Sequence, residues 1–130
     1  KQHLLNNSNL VISDDKKIIA LAGVMGAKNT EVDSNTKNIL LEAAIFSPLC
    51  VRRSRRSANL DTDSSYRFER NVSSKLLDVA SFSAARLLCE LCSGTMRGYR
   101  KEGKNPSFTK RNINFLKSEL DNYIGIDFSI

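Results

Sequence analysis

Residues 39–46 form a nearly continuous apolar run, Ile39-Leu-Leu-Glu-Ala-Ala-Ile-Phe46, with a single carboxylate, Glu42, inside it. Such a run suits a buried strand, and an acid buried there is costly unless something pairs with it. Ser47-Pro48 follows as a helix start, because serine can cap free amides and proline fits the first turn, where its missing N–H is not needed. The helix then carries Arg52, Arg53, Arg55 and Arg56. Spacings of three and four place Arg52, Arg55 and Arg56 on one broad face, with Arg53 displaced from it. An arginine cluster of this kind suits a phosphate-rich partner, structural ion pairs with an acid such as Glu69, or a solvated helix face.

The flanking sequence sets the fold class as mixed α/β (α+β), with antiparallel strands packed with helices. Residues 10–12 and 18–22 flank a polar loop at 13–17 and predict a hairpin. The second strand runs into Gly23-Val-Met-Gly26, where glycine permits a sharp turn or a close approach to the backbone. Asn59 can close the arginine-bearing helix in a left-handed conformation, and Asp61-Thr62-Asp63 offers capping oxygens for a short helical turn through residue 70. Ser73 or Ser74 can cap a longer helix over residues 75–93, with Gly94 as its stop. Leu76, Ala80, Ala84, Leu87, Leu88 and Leu91 recur in it at helical spacing, and a second stripe through Phe82, Ala85, Cys89 and Cys92 predicts a helix between two packed layers. Residues 108–115 are a candidate strand, and residues 118–123 a short helix ended by Gly125.

Length and charge bound the rest. One hundred and thirty residues supply one ordinary core and not two complete domains. The chain opens at Lys1 without a methionine and stops at Ile130, and it is expected to be a segment of something longer. A formal charge of +6 biases the partner toward nucleic acid. No apolar run approaches the roughly 20 residues that span a bilayer, so no membrane partner and a cytoplasmic location are expected. Cys89-Glu-Leu-Cys92 has the form of a metal or redox pair, but no second pair completes a zinc site and the only histidine, His3, is distant in sequence. Reduced thiols on an apolar helix face are the expectation.

Leu21-Ala-Gly-Val-Met-Gly26, Asn38-Ile-Leu-Leu-Glu-Ala-Ala-Ile-Phe-Ser-Pro48 and Ser65-Tyr-Arg-Phe-Glu-Arg70, in this order and spacing, resemble the beta-subunit family of bacterial phenylalanyl-tRNA synthetases. The resemblance implies that residues 1–100 are the later part of a B3/B4 editing domain, incomplete at its upstream side. It makes residues 101–107 a linker and residues 108–130 the start of a following, B5-like domain. It implies an aminoacyl-tRNA ligase working with an alpha subunit in a heterotetramer of two alpha and two beta subunits, on the phenylalanine tRNA. ATP and magnesium would serve the synthetic half, with no cofactor in this segment and no metal ligands.

The same resemblance implies that this region hydrolyses tyrosine wrongly esterified to the phenylalanine tRNA. Glu42 falls at the family's tyrosine-recognising glutamate, Gly26 at a pocket glycine, and Thr62 at a pocket threonine whose hydroxyl could equally be a helix cap. Ser64 stands where the family usually has alanine, Ala27 replaces the second glycine of Met-Gly-Gly, and Asn71 replaces another glycine. The family's pocket histidine would lie upstream of Lys1. No serine or cysteine nucleophile with a histidine base is evident, which favours attack by water. Arg52, Arg53, Arg55 and Arg56 are the candidate tRNA contacts. A non-catalytic tRNA-binding module and a scaffold segment of the same synthetase are the competing expectations.

Overall fold

In the computed structural model, residues 2–103, 110 and 112–127 are described. Three short strands, β1 (Val11–Ser13), β2 (Ile18–Leu21) and β3 (Met25–Gly26), make an antiparallel sheet in the order β1-β2-β3. The predicted hairpin is present, and Asp14 explains its tightness: its Oδ1 accepts from the amides of Lys16 and Lys17, each at 2.8 Å. Those backbone donors hold the Asp14 carboxyl below its ordinary pKa. Val11 pairs with Leu21 and Ile12 with Ala20, and the register slips between Ile12 and Ser13. The third strand was hidden in the Gly23–Gly26 stretch, where a turn at Gly23 returns the chain so that Leu21 pairs with Met25 and Ala20 with Gly26.

Helix α1 (Pro48–Ala58) packs on the sheet through Val51, Ser54 and Ala58, which are buried and spaced three and four apart. With Leu21, Ala22 and Val24 they form the core, and Val11, Phe46, Leu60 and Phe68 close around it. Ser54 fits among apolar neighbours because its Oγ accepts from the Leu10 amide at 3.1 Å. Proline starts α1 as expected, although the Ser47 side chain makes no capping bond. Asn59 ends it in the left-handed region at φ 50°, and the His3 ring donates from Nδ1 to the Ala58 carbonyl at 3.0 Å.

Helix α2 (Asp63–Phe68) is opened by a reciprocal capping box between Thr62 and Ser65. A turn of 3-10 helix, Ser74–Leu76, leads into α3 (Leu77–Cys92), and α4 (Lys117–Ile124) ends at Gly125 with φ 75°, as its sequence indicates. Neither Ser73 nor Ser74 caps this helical stretch through its side chain, and Ser93, not Gly94, takes the left-handed closing conformation. Residues 96–101 turn back along α3, where Tyr99 meets Phe82 with ring centroids 5.3 Å apart and Lys101 pairs with Asp78 at 2.8 Å.

Three expectations are corrected. Residues 39–46 are irregular and form no strand, because a strand needs a neighbouring backbone to bond with, and these residues make no backbone hydrogen bond among the described residues. Helix α3 does not lie between two layers: none of its residues is fully buried, and Cys92 is exposed where a core thiol was expected. Its periodicity defines an apolar face without supplying the second layer to cover it. Residues 112–116 are not a strand, while positions 108, 109 and 111 of that expected strand, and 104–107 of the expected linker, lie outside the described residues.

Candidate functional site

A cavity of about 520 Å³ opens between the sheet, segment 39–46, α2 and the start of α3. Each of these contributes to its wall: Ala20 and Gly26 from the sheet, Glu42 and Phe46 from segment 39–46, Ser64 from α2, and Leu77 from α3. The fold thus brings together Gly26, Glu42 and Ser64, which are far apart in sequence. The glycines have different reasons to be there. At Gly23 the backbone is left-handed at φ 68°, and a Cβ would meet Phe46 and Val51 at 3.0 Å and Phe68 at 3.3 Å, so the fold itself excludes a side chain. At Gly26 a Cβ would meet nothing within 4 Å, so glycine there leaves open space that an occupant of the cavity can use.

Glu42 is the charged residue among those six. It remains solvent-exposed, and no hydrogen bond or ion pair reaches its carboxylate among the described residues. The apolar surroundings nevertheless push its carboxyl pKa above the ordinary value through desolvation. An acid with an unspent acceptor capacity in a mainly apolar wall suits a ligand that is itself mostly apolar and carries one hydroxyl donor. The Ser64 hydroxyl donates to the Gly23 carbonyl at 3.2 Å, which ties α2 to the turn and leaves its oxygen able to accept.

Thr62 takes the capping role. Its Oγ1 donates to the Val24 carbonyl at 2.8 Å and accepts from the Ser65 amide at 3.0 Å. It lines a separate cleft of about 310 Å³ together with Arg55, Asp61 and Glu69, not the wall that holds Glu42.

The arginine cluster divides. Arg55 is half-buried, pairing with Asp61 and with Glu69 Oε2 at 3.0 Å. Arg52, Arg53 and Arg56 are exposed and make no ion pair among the described residues. Arg52, Arg55 and Arg56 fall within one broad arc of the helix, but Arg55 differs from the other two in being spent on acids. The buried stripe of α1 draws Arg55 to its flank, and Arg53 joins Arg52 and Arg56 on the opposite side. Sequence periodicity could have found this grouping once the stripe through Val51, Ser54 and Ala58 was identified. Among the described residues no group of three or more His, Cys, Asp or Glu is placed to hold a metal ion, and no helix is long and apolar enough to cross a membrane.

Comparison with known proteins matches residues 1–93 to the B3/4 domain family. The chain is 42% identical over 122 residues, 94% of its length, to the phenylalanine–tRNA ligase beta subunit of Carboxydothermus hydrogenoformans. It is 38% identical over its whole length to the protein of that name from Rickettsia bellii, and 44% identical over 97 residues, 75% of the chain, to that from Oleidesulfovibrio alaskensis. The chain spans only 15% of the length of the first two of these relatives and 12% of the third.

Proposed function

The chain belongs to the B3/4 domain family, and from that premise we propose that it is part of a phenylalanine–tRNA ligase beta subunit whose cavity hydrolyses tyrosine esterified to the phenylalanine tRNA. The observation that carries this reading is the meeting of Gly26, Glu42 and Ser64 on one cavity, with no partner for the Glu42 carboxylate among the described residues. Tyrosine is phenylalanine plus a hydroxyl, and an apolar synthetic pocket rejects an added hydroxyl by only about a hundredfold. A second pocket that bonds to that hydroxyl discriminates by roughly 10⁴ to 10⁵, because the phenylalanine ester would leave its polar group unmatched.

In this mechanism the apolar wall receives the aromatic ring, with Phe46 and Leu77 providing contact area and Gly26 leaving room for the ligand. Ionised Glu42 accepts the phenolic proton in a charge-assisted bond and so fixes the ring's depth. The ester is held at the cavity mouth, and water attacks its carbonyl with the terminal ribose of the tRNA helping to orient it. Arg52, Arg53 and Arg56 serve the tRNA backbone. An alpha subunit, in a heterotetramer of two alpha and two beta subunits, carries the synthetic site, to which ATP and magnesium belong; no step here is assigned to either. The cytoplasm is the compartment in which this reading places the enzyme.

The test is release of tyrosine from pre-charged tyrosyl-tRNA of the phenylalanine type by the complete two-subunit enzyme, intact and as Glu42→Ala. The intact enzyme is expected to clear tyrosine and the variant to lose at least about a hundredfold in rate, while both still charge phenylalanine. Clearance by neither would make this region a tRNA-binding or scaffold module.

A further inference from the structure

Arg55 and Glu69 lie outside the large cavity but hold the helix that makes one of its walls. Resting on the editing reading above, we propose that the Arg55–Glu69 pair is a positioning pair that sets tyrosine-over-phenylalanine discrimination by fixing the C-terminal end of α2. A six-residue helix has too few internal bonds to hold its own place. Its first turn is tied to the glycine turn by Thr62 Oγ1 donating to Val24 and Ser64 Oγ donating to Gly23, at 2.8 and 3.2 Å. Its other end depends on Glu69, whose Oε2 accepts from Arg55 Nε at 3.0 Å and whose Oε1 accepts from Arg70 Nη1 at 2.8 Å. Arg70 in turn donates to the Tyr66 carbonyl at 2.8 Å and lies 3.6 Å over the Tyr66 ring centre.

Spacing converts this anchorage into an effect on the cavity. Ser64 and Phe68 are four residues apart and both line the cavity, whereas Ser65 and Glu69, one position on, define the neighbouring face. Phe68 is adjacent to Glu69 and touches Phe46, ring centroids 5.2 Å apart, on the same irregular segment that carries Glu42. A displaced Glu69 therefore moves Phe68 and Phe46 together and changes the depth at which a ring meets Glu42. The pair resists displacement because the side chains of Glu69 and Arg55 are only 12% and 23% exposed, so water screens them poorly and loss of one strands the other. Arg55 also reaches Asp61, but that side chain is 80% exposed and screened by water, so the anchorage rests on the fork geometry toward Glu69, which a lysine reproduces only in part.

The experiment measures hydrolysis of tyrosyl- and phenylalanyl-esters of the phenylalanine tRNA by the complete two-subunit enzyme carrying Arg55→Gln, Arg55→Lys, Glu69→Gln, Asp61→Asn or Glu42→Ala. Arg55→Gln and Glu69→Gln are expected to lower the tyrosine-to-phenylalanine rate ratio by about tenfold, with Arg55→Lys intermediate and Asp61→Asn, at an 80% exposed side chain, unchanged. A ratio that stays constant while both rates fall together would overturn the proposal, as would loss of the domain's melting transition in both Arg55→Gln and Glu69→Gln, since the pair would then be holding the fold alone. Full tyrosine release by Glu42→Ala identifies the editing reading itself as the part that fails, whatever the Arg55 variants do.

Discussion

Gly23 and Glu42 show how differently a single residue can serve this cavity. Gly23 is demanded by the backbone, and Gly23→Ala must either relax the left-handed turn or push Phe46 and Val51 aside. That substitution is expected to cost about 1–3 kcal/mol in chemical denaturation. Glu42 is demanded by nothing in the fold. Desolvation raises its pKa, so the folded chain holds the proton more tightly than the unfolded chain does. The sign follows: Glu42 costs no stability below its unfolded pKa, and the cost grows as pH rises through the raised folded value. Glu42→Gln is therefore expected to melt higher than the parent at neutral pH, with the difference vanishing in acid, as thermal melts at the two pH values will read. A carboxylate whose ionised form works against stability is a pattern common at functional sites.

Among the elements, α2 contributes Ser64 and Phe68 to the cavity wall, and Thr62 caps its first turn. Thr62→Ala removes both the cap on Ser65 and the bond to Val24, and is expected to destabilise by about 1–2 kcal/mol, whereas Thr62→Ser keeps both and is expected to be close to neutral. Urea midpoints of the two variants check this. The helix ends at Asn59 and Gly125 were legible because a cap depends on a few consecutive residues, whereas Thr62 was one of three consecutive candidates for the cap of α2. The arginines were only partly so. Their exposure depended on which α1 stripe found the core, and Arg55 was claimed by Asp61 and Glu69, residues outside its helix.

At the scale of the whole molecule, the described residues leave much apolar surface uncovered. Leu40 is 94% exposed and Leu91 76%, with Leu76, Val79 and Leu87 also exposed along α3 and its lead-in. An isolated chain of these 130 residues is expected to self-associate with rising concentration, and Leu87→Glu with Leu91→Glu to reduce it, as sedimentation velocity will show. Some features followed from the order of residues alone: the β1–β2 hairpin, the helices beginning at Pro48 and ending at Gly125, and a cap for α2 within residues 61–63. Each rests on dihedral preferences and hydrogen bonds within a few positions. The tertiary structure alone decided that residues 39–46 pair with no strand, that α3 keeps an open face, and that Thr62 faces a different cleft from Glu42. It also decided that Gly26, Glu42 and Ser64 share one cavity. Burial and strand pairing are properties of what lies beside a segment, and an amphipathic pattern records the need for a neighbour without supplying one.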